Sequence, residues 1–378
     1  MIKVATLSYQ HAFNYGAVFQ VAALQHVITQ LGANCDIIDY RCPAIDQQYD
    51  FKPVHVNLSC FNAIRANLVL APFIRGKKKS FQHWIDSYKK TDVITSKEQL
   101  LALNEKYDKF VVGSDQVWNL KCNGYDGAFF LDFVSDDSKK VAYAASFGTY
   151  DLNPDDKSLY EKYIKRFESI SVRENSGVNL VKNLTGKDSI SCMDPVLLAG
   201  RNFWESKKDK SFNSKEKYIF VYHLGHGKRV AKFAKQLKKS TGLKVFFATG
   251  HLGNMVYYSI FDENVSSASP EQFLSLISGA EFVVTNSFHA TVLSIVFRKQ
   301  FYTISKGDEK NSYNTRIFNL LSDYDLKERI MSEFHHIALI SNEKYDAVEE
   351  KIIFLAKNSL LFLCKSLGLE KVDGNNNE

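Results

Sequence analysis

The chain has 378 residues, of which 45% are hydrophobic and 13% aromatic, and its formal net charge is +6 at pH 7. The hydrophobic content excludes disorder over most of the length, and the size favours two domains of roughly 150–200 residues each. The small positive excess favours anionic partners. It is too scattered for nucleic acid, and no zinc-finger, helix-turn-helix or RNA-binding signature occurs.

The six cysteines form no C-x-x-C pair and no cysteine and histidine set with zinc spacing, so we expect reduced packing cysteines and no metal. The opening MIKVATLSY predicts a strand and lacks the pattern of a signal peptide. No apolar run reaches the roughly 18 residues of a transmembrane helix. These features predict a cytoplasmic protein without a cofactor.

Apolar strand-like runs alternate with helical patterns along the whole chain. The first series, with a helix predicted at about 17–31, comprises KVATLSY (3–9), CDIIDY (35–40), FVVGS (110–114), VAYAAS (141–146), SISVR (169–173) and ISCMD (190–194). The second, with a helix predicted at 270–280, comprises YIFVYHL (218–224), KVFFAT (244–249), EFVVTN (281–286) and FYTIS (301–305). Continuous apolar strands joined by helices predict parallel sheets covered on both faces.

A polar stretch without periodicity, ESKKDKSFNSKEK (205–217), predicts a linker or surface loop between the two series. We therefore expect an α/β fold of two doubly wound, Rossmann-like parallel-sheet domains, residues 1–200 and 217–340, that face a cleft. A last helix at 342–367 is expected to pack back on the first domain, and a frayed tail follows at 368–378.

A helical insertion is expected at about 59–105 in the first domain. Within it, residues 59–88 mix large apolar side chains with arginines and lysines. This composition allows contact with an anionic membrane surface. We favour the alternative that its apolar face belongs to an ordinary core.

In open parallel sheets, ligands bind beside the carboxyl ends of strands, so the strand-to-helix turns carry the candidate residues. The first such turn is Asn14-Tyr15-Gly16, where a helix begins. Its free amide groups suit a phosphate or carboxylate, and a plain helix cap is the alternative. The turn lacks the G-x-G-x-x-G pattern of dinucleotide sites.

The second candidate turn is VVGSDQVWN (111–119), where small polar residues accompany a tryptophan at a strand end. Asp115 can accept a hydrogen bond from a sugar hydroxyl, and Trp118 can offer a flat apolar face to a sugar ring. Ser114 and Gln116 complete this group of candidate acceptor-binding residues, together with Tyr15 of the first turn. Plain packing is the alternative.

Arg173 stands where a strand emerges, and a buried arginine needs an anion. That anion is either an internal partner such as Glu174 or Asp194, or the phosphate or carboxylate of a ligand. Farther along, Lys306 and Arg316 flank a polar loop that leads into a helix, from which both side chains could reach a phosphate in the cleft. For these two residues the alternative is a solvated surface charge.

The fourth turn, TNSFH (285–289), joins an apolar strand to a helix that is apolar almost all round. Asn286 and Ser287 are strong candidates for the helix N-cap. His289 then lies at the positive end of a buried helix and faces the cleft. It can act there as a general acid or base, or merely bond a backbone carbonyl.

Taken in this order, seven segments resemble the polysaccharide pyruvyl transferase family, and the resemblance spans about residues 1–325. They are NYGAVFQ (14–20), VVGSDQVWN (111–119), FFLDFV (129–134), KKVAYAASFG (139–148), ISVRENSG (170–177), CMDPVLL (192–198) and SPEQFLSLISGAEFVVTNSFHATVLSIVF (269–297). Each is weak alone, and together they are specific to the family. The resemblance implies two domains arranged as in GT-B glycosyltransferases.

The resemblance also implies an activity. Members of this family transfer the three-carbon unit of phosphoenolpyruvate to two hydroxyls of a sugar in a surface or capsular polysaccharide precursor, which forms a pyruvate ketal and releases phosphate. This implies a bacterial cytoplasmic enzyme that needs no cofactor. Its sugar acceptor can be lipid-linked, which would bring the protein to the inner face of the cell membrane.

Better-studied members of the family have Arg-x-His where this chain has Ser287-Phe288-His289, and they use its arginine and histidine to hold the donor. His289 matches the histidine and is expected to shuttle the proton, while Asp115 positions or deprotonates the acceptor. Because Ser287 replaces the arginine, another cation must hold the donor. The expected donor-binding residues are Arg173, Lys306, Arg316, Asn14, Gly16, Asn286 and Ser287.

Two other functions stay open at this level. The same fold could belong to a glycosyltransferase that uses a nucleotide sugar, although the sequence has no evident paired-carboxylate or glutamate-rich ribose clamp. The replacement of arginine by Ser287 also allows a glycan-binding homologue that has lost catalysis.

Overall fold

The structure is a computed structural model, and it describes residues 1–49, 75–149, 151–212, 214, 216–225, 227–250, 261–305 and 312–369. Within these ranges the chain forms two parallel sheets of six strands each. The predicted α/β architecture of two Rossmann-like domains is therefore confirmed.

The first sheet has the strand order β2-β1-β3-β4-β5-β6. Its strands are β1 Lys3–Leu7, β2 Asn34–Ile37, β3 Lys109–Val112, β4 Lys140–Ala145, β5 Ser169–Val172 and β6 Ile190–Ser191. The accompanying helices are α1 Tyr15–Gln30, α2 Pro43–Tyr49, α3 at 75–86, α4 Lys97–Leu101, α5 Leu120–Asn123, α6 Lys157–Ile164, α7 Asn175–Thr185, α8 Pro195–Leu198 and α9 Gly200–Lys207. Every residue of the central strand β4 is buried, because helices cover both faces of the sheet.

The second sheet has the strand order β12-β11-β10-β7-β8-β9. Its strands are β7 Tyr218–His223, β8 Lys244–Thr249, β9 Glu263–Asn264, β10 Phe282–Thr285, β11 Gln300–Ile304 and β12 Ile330–Met331. The helices that follow these strands are α10 Lys228–Thr241, α11 Pro270–Gly279, α12 Phe288–Val296, α13 Ser312–Asp323 and α14 Asn342–Leu367. The short edge strands β9 and β12 have no counterpart among the predicted runs.

Each sheet reverses its strand order once, between β1 and β3 in the first and between β7 and β10 in the second. The connections that leave two neighbouring strands at such a point diverge to opposite faces, so a crevice opens at the carboxyl ends of the strands. The turns after β1, β3, β7 and β10 are therefore the ones that the topology marks for ligand binding.

A continuous aromatic core joins the two sheets. The ring of Tyr15, from α1, stacks on Phe273 of α11 with 3.9 Å between centroids, and its hydroxyl donates a hydrogen bond of 2.6 Å to the carbonyl of Ala268. Phe19, one turn further along α1, packs edge-on against Trp204 of α9. Tyr15 was predicted to bind the acceptor. The structure contradicts this prediction, because the ring and the hydroxyl are buried and both make contacts between the domains.

The first three residues of the segment predicted as a linker, 205–217, belong to a helix instead. Helix α9 continues to Lys207, and Trp204 within it is fully buried, with its indole N–H donating to the carbonyl of Val196 at 2.7 Å. The polar residues that suggested a loop lie on the outer side of this helix and beyond its end. Helix α9 therefore continues into the predicted break and packs in the core that both domains share.

The long helix α14 has the predicted bounds and returns to the first sheet. Leu363 and Leu367 share a hydrophobic cluster with Val4 and Val111, and the Ser359 hydroxyl accepts the backbone N–H of Met193 at 2.9 Å. The predicted apolar stripe is not buried along its whole length, since Ile353 is 60% exposed. None of the described helices has the length and apolar character that a bilayer crossing requires.

Residues 59–74 of the expected insertion and 370–378 of the expected tail lie outside the described residues. The described remainder of the insertion begins with α3, where Phe81 and Trp84 are buried in the same core as α1. This part of the insertion packs as an ordinary core helix.

Candidate active site

Four turns at the two points of strand reversal enclose one cavity of about 370 Å³, which we call the switch-point cavity. The turn after β1 contributes Asn14, the turn after β3 contributes Asp115, and the turn after β7 contributes Leu224. The turn after β10 contributes Ser287 and His289. The cavity therefore lies between the domains and has the size of ordinary small-molecule sites, which span about 300–1,000 Å³.

His289 lies in the first turn of α12, as predicted. The side chain of Ser287 caps this helix by accepting the N–H of Ala290, because a serine oxygen satisfies an amide that has no partner in the first turn. His289 is 8% exposed as a residue and lines the cavity. Its Nε2 lies 3.6 Å from Oδ2 of Asp194.

Asp194 is a buried carboxylate that the first domain holds rigidly against His289. Its Oδ2 accepts the Ser114 hydroxyl and Nη1 of Arg173, both at 3.0 Å, and its Oδ1 accepts the N–H of Val196 at 2.9 Å. Burial disfavours the charged form, yet the nearby His289 and Arg173 hold the pKa of Asp194 well below its usual range. The group beside the imidazole is therefore an ionised, oriented acceptor.

The sequence had suggested Asp194 only as an internal partner for Arg173, and its contact with His289 was missed. The two residues are far apart in the chain and belong to different domains. The one local signal was Pro195, which follows Asp194 at the start of α8, since Asp before Pro marks a helix N-cap. That signal places the carboxylate on a helix but does not say what it faces.

Gly16 permits the close approach of α1 to the imidazole. A Cβ atom at this position would overlap Nδ1 and Cγ of His289. The N–H of Gly16 donates to the side chain of Asn14, which caps α1. Two helix N-termini, those of α1 and α12, therefore meet at the ring, and each carries a partial positive charge.

The two predicted arginines have different surroundings. Arg173 donates hydrogen bonds from Nε to Glu174 at 2.9 Å and from Nη1 to Asp194. It lines a second cavity instead of the switch-point cavity. Burial opposes its charge, but the two carboxylates raise the pKa of Arg173 above its usual value. Arg316, only 6% exposed, lines the switch-point cavity together with His289. Lys306 lies outside the described residues.

Asp115 and Gln116 both line the switch-point cavity and are half-buried. Asp115 has φ +77°, a left-handed conformation that few non-glycine residues adopt and that is frequent at functional sites. Asn119 lies beside them and donates from Nδ2 to Oε1 of Gln116 at 3.1 Å. Polar side chains that can bind hydroxyl groups therefore line the same cavity as the imidazole, and Asn119 is one that the sequence analysis did not single out.

Three other predicted contacts are absent from the described walls of this cavity. Trp118 is fully buried against Phe130 and Phe147, so it cannot offer a face to a sugar. Ser114 is buried and holds Asp194. The amide of Asn286 is occupied on both sides, since Oδ1 accepts the N–H of Leu224 at 2.8 Å and Nδ2 donates to its carbonyl at 2.9 Å.

These corrections have a common cause. A residue at a strand end faces either the crevice or the core, and alternation along the strand assigns small polar side chains to both sides. Asn286 joins the turn after β7 to the turn after β10 by hydrogen bonds, and Ser114 donates a hydrogen bond to Asp194. Both residues therefore stabilise the cavity walls without lining the cavity. Within the described residues, no group of three or more His, Cys, Asp or Glu side chains could hold a metal ion.

Two parallel sheets with a shared crevice define a two-domain α/β protein of the GT-B-like class. The family model described as polysaccharide pyruvyl transferase matches residues 14–307, and the chain belongs to this family. No curated protein matches the chain in sequence.

Solved structures agree with this fold at low identity. A putative UDP-N-acetylglucosamine 2-epimerase from Listeria monocytogenes has a TM-score of 0.52 at 11% identity and covers 100% of this chain and 99% of its own. The S. aureus MnaA–UDP co-structure has a TM-score of 0.50 at 12% identity, with 100% of each chain covered. At such identities the similarity concerns the fold alone.

Proposed function

We propose that the protein transfers the pyruvyl group of phosphoenolpyruvate to two hydroxyls of a sugar in a surface or capsular polysaccharide precursor. The products are a cyclic pyruvate ketal and phosphate. The observation that carries the proposal is the position of His289, which lies in the switch-point cavity between Gly16 and Asp194 in a chain of the pyruvyl transferase family.

The donor carries a phosphate and a carboxylate, so its site needs positive groups. Arg173 does not line the cavity that contains His289, whereas Arg316 does. We therefore assign to Arg316 the charge that an arginine at position 287 supplies in better-studied family members. The N-termini of α1 and α12 add amide donors and partial positive charge.

The reaction can be balanced with the groups around the cavity. A proton passes to the methylene carbon of phosphoenolpyruvate, which becomes a methyl group, and one sugar hydroxyl adds to the resulting cationic carbon. Phosphate then leaves, and the second hydroxyl closes the ketal. The two hydroxyl protons end on the methyl group and on phosphate. His289 delivers and collects protons, and Asp115 orients or deprotonates the attacking hydroxyl.

Asp194 acts through His289 and contacts none of the reacting atoms in this scheme. Three hydrogen bonds fix this buried carboxylate, and Nε2 of His289 lies 3.6 Å from it. Its negative charge attracts a protonated imidazole and so favours one orientation of the ring, which a proton donor to carbon requires. We place the reaction in the cytoplasm. If the acceptor is lipid-linked, the protein works at the inner face of the cell membrane.

Ligand binding and turnover test the proposal separately. Phosphoenolpyruvate should raise the melting temperature of the protein, and UDP-sugars should not, because a ligand stabilises only the fold that binds it. Release of phosphate from phosphoenolpyruvate should require a glycan acceptor. Stabilisation by a UDP-sugar alone would identify a nucleotide-sugar enzyme, and binding of glycan without phosphate release would identify a non-catalytic homologue.

The matched variants are His289→Gln and His83→Gln, of which His83 is exposed on α3. We expect His289→Gln to lose about 10²- to 10⁴-fold in phosphate release, the usual contribution of a general acid or base. His83→Gln should be unchanged, and both variants should melt like the wild type. Full activity in His289→Gln would remove the imidazole from the mechanism.

A further inference from the structure

A second cavity, of about 390 Å³, lies behind the switch-point cavity, and we call it the C-terminal-helix cavity. It is bounded by the turns after β5 and β6 of the first sheet and by helices α13 and α14. Lys351, Leu355, Asn358 and Ser359 of α14 form one wall. The position again corresponds to the carboxyl ends of parallel strands, where the fold places ligands.

The two cavities share a wall. Phe288 and Arg316 line both of them. The Arg316 guanidinium carbon lies 5.9 Å from the centroid of Phe288, and that of Arg173 lies 4.5 Å from the same ring. A ligand that occupied both cavities would therefore pass along one aromatic ring and one arginine.

The lining of the C-terminal-helix cavity contains equal numbers of positive and negative side chains. The described lining has the cations Arg173, Arg316 and Lys351 and the carboxylates Glu174, Asp194 and Asp323. Such a lining disfavours a small polyanion such as phosphoenolpyruvate. It suits hydroxyl groups, because each hydroxyl both donates to a carboxylate and accepts from a guanidinium.

Amide and hydroxyl side chains complete the lining. Asn175, Asn319 and Asn358 each offer a donor and an acceptor, and Phe288 and Leu355 offer apolar surface. A pyranose has the same combination of polar edges and apolar faces. The composition is therefore that of a site for an uncharged sugar ring.

One buried donor atom of Arg173, a residue that lines this cavity, lacks a partner in the described part of the chain. Nη2 of Arg173 makes no hydrogen bond there, although the side chain is only 3% exposed. The other nitrogens of this guanidinium are fixed by Glu174 and Asp194, so Nη2 cannot turn toward solvent. A buried donor left unsatisfied costs about 1–3 kcal/mol, so an unpaired donor in a native protein calls for a partner, and a ligand hydroxyl can supply one.

We infer that the C-terminal-helix cavity is a second saccharide subsite, which binds an uncharged sugar residue next to the one that receives pyruvate. This inference rests on the proposed function and adds that the acceptor is at least a disaccharide. The residue to be pyruvylated occupies the switch-point cavity, and its neighbour crosses the wall of Phe288 and Arg316 and hydrogen-bonds to Nη2 of Arg173.

The test uses a large side chain that fills the cavity, introduced at an exposed position where a substitution does not disturb the core. Asn358 is exposed on α14 and lines the cavity, so Asn358→Trp should block it without disturbing the core. The adjacent Lys357 is also exposed but does not contribute to the cavity lining, and Lys357→Trp is the matched control. Saturation-transfer-difference NMR is recorded with cellobiose, maltose, lactose and chitobiose, and with their component monosaccharides.

We expect at least one disaccharide to bind the wild type and Lys357→Trp more tightly than its monosaccharides. Asn358→Trp should lose about tenfold in that affinity. Thermal stabilisation by phosphoenolpyruvate should be the same in all three proteins. The measurement with phosphoenolpyruvate separates the proposed function from the saccharide subsite. If phosphoenolpyruvate does not stabilise the wild type, the proposed function is contradicted, and the disaccharide result still stands.

Three results would overturn the inference. The first is that no disaccharide binds more tightly than its monosaccharides. The second is that Asn358→Trp binds the disaccharide as the wild type does. The third is that Asn358→Trp loses its response to phosphoenolpyruvate, which would make this cavity the donor site.

Discussion

Nε2 of His289 and Oδ2 of Asp194 lie 3.6 Å apart across the boundary between the two domains. The imidazole belongs to the second sheet's helix α12, and the carboxylate belongs to the turn after β6 of the first sheet. The orientation of the candidate proton carrier therefore depends on how the domains pack. The stacking of Tyr15 on Phe273 is part of that packing, so the aromatic core supports the site from a distance.

Asp194→Asn tests whether the carboxylate positions the imidazole. Asparagine keeps the shape of the side chain and removes its charge, so His289 and Arg173 lose an ionised partner. We expect kcat to fall about tenfold or more, as part of the 10²- to 10⁴-fold effect of general acid–base catalysis, while the KM for phosphoenolpyruvate changes little. Steady-state kinetics over a range of pH measure both parameters and the shape of the profile.

The control for this variant is Asp188→Asn, which removes a carboxylate that is 96% exposed and pairs with Lys182 at the surface. It should behave like the wild type, because exposed pairs contribute about 1 kcal/mol or less. If Asp194→Asn only lowers the melting temperature and leaves kcat and its pH profile unchanged, Asp194 has a structural role alone.

Gly16→Ala tests the close approach of α1 to the imidazole. The added Cβ would overlap the His289 ring, so either α1 or the imidazole must shift. We expect a loss of at least tenfold in kcat/KM together with a destabilisation of about 1–3 kcal/mol from overpacking. Phosphate-release kinetics and thermal denaturation report the two effects.

Gly76→Ala is the control for the glycine substitution. A Cβ at this exposed position in α3 meets no described atom within 4 Å, and alanine favours helix more than glycine does by about 1 kcal/mol. This variant should be as active as the wild type and at least as stable. Equal behaviour of the two alanine variants would contradict the role assigned to Gly16.

Asp115 combines a cavity-facing carboxylate with a left-handed backbone, and two substitutions separate these features. Asp115→Asn removes the charge, and Asp115→Gly also removes the conformational strain, which costs about 1–3 kcal/mol. We expect both variants to lose about 10²-fold or more in kcat/KM for the acceptor, while Asp115→Gly is no less stable than the wild type. An Asp115→Asn enzyme with normal acceptor kinetics would exclude the carboxylate from catalysis.

Asp39 offers a prediction about pH and stability in a cluster away from the cavity. This buried carboxylate pairs with His11 at 2.6 Å, Lys90 at 2.8 Å and Arg41 at 3.1 Å. Burial opposes its charge, but hydrogen bonds from His11 and Lys90 hold the pKa of Asp39 well below its usual range. A depressed pKa stabilises the fold above the unfolded-state value of about 3.9, and this contribution is lost as the pH falls below it.

We therefore expect Asp39→Asn to destabilise the protein by about 3 kcal/mol near neutral pH and by progressively less below about pH 4. Melting temperatures of wild type and variant at pH 7, 5, 4 and 3 measure the gap. Asp92→Asn, which removes an exposed carboxylate, serves as the control. A gap that stays constant down to pH 3 would mean that the charge of Asp39 contributes nothing to stability.

The regular elements could be predicted well because their signals are local. Helix α14 has the predicted bounds, α11 differs by one residue, and each interior strand begins within one residue of a predicted apolar run and ends inside it. The two-residue edge strands β9 and β12 were not predicted, since so short a strand has no apolar period and forms only against a neighbour. The burial of Trp204 in α9 was also missed, because the polar residues around it dominate the local composition.

The location of the candidate site could be predicted, but the exact set of residues that line it could not. The rule that ligands bind at strand ends found the turns of Asn14, Asp115 and His289, and all three line the switch-point cavity. It could not separate Gln116, which faces the cavity, from Trp118, which faces the core two residues later. The roles of these residues in catalysis and binding stay predictions.

The sequence by itself determined the class of fold, the family and the placement of His289 at the head of a buried helix, because periodicity, caps and ordered motifs are properties of neighbouring residues. Only the tertiary structure decided which charges meet. It paired Arg173 with Glu174 and Asp194, left Arg316 in the wall between two cavities, and brought Asp194 to the imidazole. Such contacts join residues far apart in the chain, and Coulomb energy depends on distance in space.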